Sequence, residues 1–268
     1  MDALNMNTVT NGFITTIITI GLSVMGLLVV RHYVRSKLLK MHHDVADPLL
    51  SVVGTLFAVL LGFMVANSMT RFEEARVTAQ SEASAVGNIF RAAAGLPDKN
   101  RTVIQHACEQ YVDLVINEEW PVLSKKHTSD KAWKAYDEIW MDCVKFVPSN
   151  DGETNMQSAI MGYLGVLGDA RRMRVGALHN GLPPVLWFVL FAGGTATIAF
   201  TYFFGIENIR LQILMTSLVS LSICLNLFLL ACYDDPFSGD VMLHPTAFEN
   251  IRDNFNAIEH PGTPFLKE

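Results

Sequence analysis

The chain has 268 residues, half of them hydrophobic and 17% charged, with a formal net charge of −6 and a mean hydropathy of +0.29. The charges leave four long windows free, and that distribution excludes a purely water-soluble enzyme, a disordered chain and a secreted disulfide scaffold. The acidic balance and the lack of a long basic run argue against nucleic acid as a partner.

Asp, Glu, Lys and Arg are absent from four windows, 3–30, 48–70, 175–206 and 211–233. Each window is longer than the ~20 apolar residues that cross the ~30 Å hydrocarbon core. The pattern predicts an all-α membrane protein with four transmembrane helices and a helical water-facing insert between the second and third. The first span is expected at 13–30. It lacks a basic segment before it and a small-x-small cleavage site, and Arg31, Arg35, Lys37 and Lys40 follow it, so it reads as retained rather than as a signal peptide. A polar connection then runs through Met41-His42-His43-Asp44. Pro48 favours a helix start, so the second span is expected at 49–67. No breaker follows before Gly95-Leu96-Pro97-Asp98. One helix is therefore predicted over 49–94, about 70 Å long. The first hairpin is assigned to 1–70 and the insert to 71–182.

Residues 71–174 carry 28 charges, 13 basic and 15 acidic. A helix is predicted over 99–118, with Val103, Ile104, Ala107, Tyr111, Leu114 and Val115 at three- and four-residue spacing. Trp120-Pro121 is expected to break it. Ser129-Asp130 suits the cap of a helix over 131–146 that gathers Trp133, Tyr136, Ile139, Trp140 and Val144 on one face. A further helix is expected over 153–178. After Gly181-Leu182-Pro183-Pro184 comes a second hairpin, 183–233, with spans at 185–205 and 210–232. The tail, 234–268, opens Asp234-Asp235-Pro236-Phe237-Ser238-Gly239-Asp240 and is expected to form a short helix over 245–258. There is no β signal. Cys224 and Cys232 read as small apolar residues of the last span. Cys108 and Cys143 would pair only in an oxidising compartment.

No GxSxG, HExxH or GK[ST] phosphate loop occurs, so neither catalysis nor a cofactor or metal is expected. His42 and His43 are adjacent and would point about 100° apart on a helix, which disfavours a shared ion. Asp169, Arg171, Arg172 and Arg174 read as the charged flank of the third span near the headgroups, in preference to a phosphate or nucleotide site. Glu73, Glu74 and Arg76 either line a water path or are ordinary surface charges.

The second span carries two stripes. Gly54, Ala58, Gly62 and Ala66 step by four, and small residues let helices approach closely in membranes. Thr55, Val59 and Phe63 form the adjacent stripe. In a ring of identical subunits one stripe would pack against neighbours and the other would line the axis. By itself, an apolar stripe is far more often plain packing.

Ala58-Val59-Leu60-Leu61-Gly62-Phe63 followed by Thr70-Arg71-Phe72-Glu73-Glu74-Ala75-Arg76 resembles the second span of bestrophins. Asp235-Pro236-Phe237-Ser238-Gly239 resembles their NPFG element. The chain is most similar to the bacterial bestrophin-like family, through Val53-Gly54-Thr55, RFEEAR, EAS, Leu182-Pro183 with Trp187, and PFSGD. The resemblance covers nearly the whole chain from about residue 40. It implies a homo-oligomer, expected to be a pentamer, in a bacterial inner membrane, conducting small ions, with membrane lipids as its other partners. It places the neck on Thr55, Val59 and Phe63 and the entrance charges on Arg71, Glu73, Glu74 and Arg76. It also implies a tail element at Asp235, Pro236, Phe237 and Gly239 that supports the neck, and an insert and termini in the cytoplasm. Three features depart from the family pattern. Asp234, Asp235 and Asp240 stand where calcium-binding members carry a longer acidic run, and calcium takes six to eight oxygens. Phe72-Glu73 replaces a double Trp, and Thr55 replaces a bulkier apolar residue. The alternative reading is a non-conducting scaffold, sensor or regulatory subunit of the same fold.

Overall fold

The computed structural model describes residues 8–33, 43–204, 208–239 and 241–259. Among them there is no strand. The helices are α1 (Thr8–Tyr33), α2 (His43–Ala93), α3 (Asp98–Leu114), α4 (Trp120–Leu123), α5 (Asp130–Lys145), α6 (Asp151–Ala177), α7 (Pro184–Phe200), α8 (Ile209–Asp234) and α9 (Thr246–Glu259). Four of them, α1, α2, α7 and α8, are long and apolar enough to cross a membrane. Contacts divide the chain into two compact units.

The first unit holds α1, α2 as far as Phe72, α7 and α8. In hydrocarbon each backbone polar group must be satisfied within its own helix. The side-chain hydroxyls follow the same rule: Thr15, Thr16, Thr19 and Thr197 each donate to the carbonyl four residues earlier. Phe57, Leu61, Leu190, Ile198, Ile223 and Leu230 form the core of this unit. A Cβ on Gly12 would overlap the Phe228 ring, and one on Gly26 would overlap Tyr202. Glycine at both positions lets α1 lie close against its neighbours. The same contacts set the start of α1 level with the end of α8. A single 3₁₀ turn, Thr201–Phe203, follows α7. Buried Gln212 closes the connection to α8 by donating to the Phe204 carbonyl at 2.8 Å.

The second unit holds α2 from Glu73 onward, α3 to α6, Pro236–Ser238 and α9. Its core gathers Val86, Phe90, Ile104, Val112, Ile139 and Leu164. Phe255 of α9 stacks on Phe90 at 4.0 Å between centroids. Two caps form, of which the sequence predicts the one at Ser129. Ser129 Oγ accepts from the Ala132 N–H. Asn150 Oδ1 accepts from the Glu153 N–H at 2.9 Å, and Glu153 accepts in return from Ser149 N–H.

Three details differ from the sequence expectation. First, α2 begins at His43 rather than near Leu49, so that Pro48 lies inside the helix, in its second turn, and does not start it. Arg35, Lys37, Lys40, Met41, His42 and Asp240 lie outside the described residues. Second, Trp120-Pro121 does not end the helix. A π-helical turn over Val115–Glu119 absorbs the proline, and the chain continues as α4 with Pro121 in its first turn. Third, the deepest stripe of α5 is Ala132, Ala135, Ile139 and Cys143. The aromatic residues flank it half-buried, and Val144 is exposed. Small residues sit deepest because α5 packs tightly on α3.

Candidate functional site

On the membrane portion of α2, Phe57 and Leu61 turn into the bundle and are buried. The adjacent stripe turns out of it: Val59 is 52% exposed, Phe63 69% exposed, and Thr55 is also exposed. Among the described residues, Val59 and Phe63 of this stripe are left largely uncovered, while Thr55 borders a cleft with Thr197, Thr201 and Val219. In the small-residue stripe, Gly54 is half-buried while Ala58, Gly62 and Ala66 are exposed. Gly54, Ala58 and Gly62 border a cleft against Val219, Ser222 and Asn226 of α8. A Cβ on Gly54 or Gly62 would meet nothing within 4 Å. Among the described residues, nothing in the chain's own packing requires them to be small.

The four charges after the span separate into two kinds. Arg71 is half-buried; its Nη2 donates to Ser68 Oγ at 2.8 Å and to Asp234 Oδ1 at 3.3 Å. The Leu182 N–H donates to the same Asp234 oxygen at 2.7 Å. This carboxylate thus ties the end of α8 to both α2 and the start of the second hairpin. Glu73, Glu74 and Arg76 are exposed, and Arg76 pairs with Glu73 at 2.6 Å. Farther along the same helix Val77, Gln80, Ser84, Asn88 and Arg91 remain exposed while the residues between them are largely buried.

In the tail, Phe237 is buried and meets Trp120 edge-on at 6.0 Å. Gly239 adopts φ 86°, a left-handed conformation that favours glycine, and Pro236 O accepts from the Leu243 N–H at 2.8 Å. Trp120 Nε1 donates to the Leu243 carbonyl at 2.9 Å and meets Phe248 at 5.8 Å. One indole thus holds the turn and α9 together. Trp120→Ala is expected to cost about 3 kcal/mol. The readout is limited proteolysis of the full chain, with cleavage between residues 236 and 246 rising severalfold.

Sequence reasoning missed the most buried polar cluster. Arg171 and Arg174 do not form an exposed charged flank of the third span. Both are fully buried, as are Glu82 and Glu119. Arg171 holds Glu119 with two nitrogens at 2.7 and 2.9 Å. Arg174 spans both acids, at 2.6 and 2.9 Å to Glu82 and 2.7 Å to Glu119. Tyr111 donates to Glu82 at 2.5 Å, and Ser129 N–H to Glu119 at 3.2 Å. Trp133 lies 4.4 Å from the Arg171 guanidinium and Trp120 5.3 Å from that of Arg174. Burial alone would push the Glu119 carboxyl up, but Arg174 and Arg171 outweigh it and hold the group below its ordinary value. Burial, reinforced by Glu82, pushes the Tyr111 hydroxyl well up and keeps it a donor. Asp169 and Arg172, in contrast, are exposed and pair with each other. Among the described residues, no three His, Cys, Asp or Glu side chains converge to hold a metal ion.

Four membrane-length helices, a helical insert and a C-terminal segment packed on that insert define a multi-helix membrane protein. A bestrophin-like domain model matches residues 17–248, and the chain belongs to the bestrophin-like family. A bacterial bestrophin homologue from Klebsiella pneumoniae superposes with a TM-score of 0.63 at 14% identity, covering 90% of this chain and 99% of that one. Another crystal structure of a bacterial bestrophin homologue from that organism, a point mutant, gives 0.64 at 16%, covering 90% and 97%. A crystal structure described only as a membrane protein gives 0.65 at 16%, covering 93% and 99%. These identities speak for the fold. No curated protein matches the chain.

Proposed function

We propose that the chain is one subunit of a homo-oligomeric, pentameric ion channel in a bacterial inner membrane, with α2 of each subunit around the axis. The observation that carries this reading is the outward stripe Thr55, Val59 and Phe63, uncovered on a helix whose opposite face is buried. Apolar rings of this kind gate by dewetting. The open cleft beside Gly54 and Gly62 suits close approach of a neighbouring helix. Beyond the neck, Glu73, Glu74 and Arg76 bias ion entry by local charge, while Arg71 is spent on Asp234. The tail element, with Asp235, Pro236, Phe237 and Gly239, supports the neck-bearing helix indirectly, through Trp120 and the insert.

The test is the mass of the solubilised assembly together with single-channel recording in planar bilayers. Five subunits and discrete conductance steps are expected. A dimer, or a pentamer silent under all conditions, selects the non-conducting scaffold instead. The insert and termini are assigned to the cytoplasm. Cys108 and Cys143 are buried, so they cannot report on this, but Ser124 is exposed. Ser124→Cys is expected to react with a membrane-impermeant maleimide only after cell lysis. Labelling of intact cells would reverse the orientation.

A further inference from the structure

The spans α1, α7 and α8 border a half-open cavity of about 330 Å³, within the size range of ligand pockets. Asn11, Trp187 and Ala231 line one end of it, and Thr19, Ile198 and Cys224 the other. Since α1 starts level with the end of α8, the first three residues lie together near the helix ends. The second three lie about two turns deeper on α1 and α8 and about three turns deeper on α7. From Asn11 to Thr19 the helix rises about 12 Å, close to the ~15 Å depth of one leaflet of hydrocarbon.

The polarity of the walls follows the same gradient. Trp and an amide stand at the mouth, where the headgroup region favours amphipathic side chains. Deeper in, the threonine hydroxyls of α1 are engaged by their own helix: Thr15 and Thr19 donate to the carbonyls of Asn11 and Thr15 at 2.8 and 2.9 Å. A polar ligand would find few free partners there. An unfilled void of this size forfeits dispersion contacts on every wall, and the bilayer offers hydrocarbon at that depth.

We propose that this cavity is a lipid site. It takes one acyl chain of a phospholipid from the leaflet at the Asp234 end of the spans, with the headgroup held at the Asn11 and Trp187 mouth. The occupant is a lipid rather than a segment of another copy, because the slot matches one leaflet in depth and polarity. The site is independent of whether the protein conducts.

The experiment is native mass spectrometry of the full-length protein in detergent, delipidated and then given phosphatidylglycerol. Wild type is expected to retain up to one phospholipid per chain. Thr195 lines the cavity, and Thr195→Phe fills it. Retention is expected to fall about a hundredfold, the equivalent of about three or four displaced methylene groups. Leu218 is 56% exposed on α8 and does not line the cavity, so Leu218→Phe is expected to bind as wild type. If Thr195→Phe does not assemble, Ala231→Leu serves as the filling variant. Cys224 provides a second readout. A hydrophobic maleimide is expected to modify it in the delipidated protein and to be excluded once phosphatidylglycerol is bound. Equal retention in wild type and filling variants overturns the proposal, as does binding of detergent only. So does a Cys224 that stays unreactive with no lipid bound, which would mean that another polypeptide segment covers the cavity.

Discussion

Glu119→Gln is expected to destabilise the protein by about 3–5 kcal/mol, the typical cost of breaking a buried ion pair by removing one partner. Glu119 is the carboxylate shared by both arginines. Without it, two fully buried guanidinium groups face the single charge of Glu82. Melting of the detergent-solubilised assembly is expected to fall on the order of 10 °C. The neighbouring residue is the control. Glu118 pairs with Lys131 at the surface, at 2.7 Å, and Glu118→Gln is expected to change stability by less than about 1 kcal/mol. A common loss in both variants would mean that the buried network contributes no more than a surface pair.

The same network fixes a pH dependence. Its arginine partners hold the Glu119 carboxyl below its ordinary value of 4.5. A carboxyl depressed on folding contributes stability above its unfolded value and loses it as the pH falls through the folded one. The contribution is therefore flat from pH 7 to 5 and is lost below about pH 4.5. Glu119→Gln is expected to abolish that acid-side component of the melting curve while leaving the neutral range parallel to wild type.

The membrane spans were legible because lipid imposes a one-dimensional rule: twenty-odd residues without a charge. The length of α2 was legible for the same kind of reason, since no Gly-Pro signal interrupts 49–94. The buried network was not legible, because its partners lie 52 to 92 residues apart and only the tertiary fold brings them together. A local signal was nonetheless present. Ile160, Leu164, Leu167, Arg171 and Arg174 step by four, three, four and three, so both arginines continue an apolar stripe of α6. A charge on the buried face of an amphipathic helix requires a buried partner, whereas proximity to a span in sequence says nothing about the face. The π turn over Val115–Glu119 escaped notice because Pro121 alone signals a break. An extra residue in one turn leaves Glu119 on the inner side after Tyr111 and Val115, and such turns recur where a side chain must be re-aimed.

Leu61 and Phe63 are two residues apart on α2 and are expected to respond in opposite ways. Leu61 is 5% exposed and belongs to the core of its own bundle. Leu61→Ala is expected to cost about 2–5 kcal/mol, with unit conductance unchanged in the assemblies that survive. Phe63 projects away from that core, so Phe63→Ala is expected to leave the melting temperature nearly unchanged. In a ring of α2 helices it would remove five phenyl groups from the narrowest apolar stretch. The barrier to wetting there depends on ring radius and polarity, so unit conductance is expected to rise by roughly threefold or more. Val59→Ala, one turn away on the same stripe, is expected to act in the same direction with smaller effect, because in such a ring valine would project less into the axis than phenylalanine. The pairing matters more than either result alone. A general loosening of the helix would move stability and conductance together at both positions. Separation of the two effects, by residues only about 3 Å apart along the helix axis, is the signature of one face that builds the subunit and another that meets the ions. If Leu61→Ala alters unit conductance while Phe63→Ala does not, the axis lies on another face of α2 and the neck assignment fails.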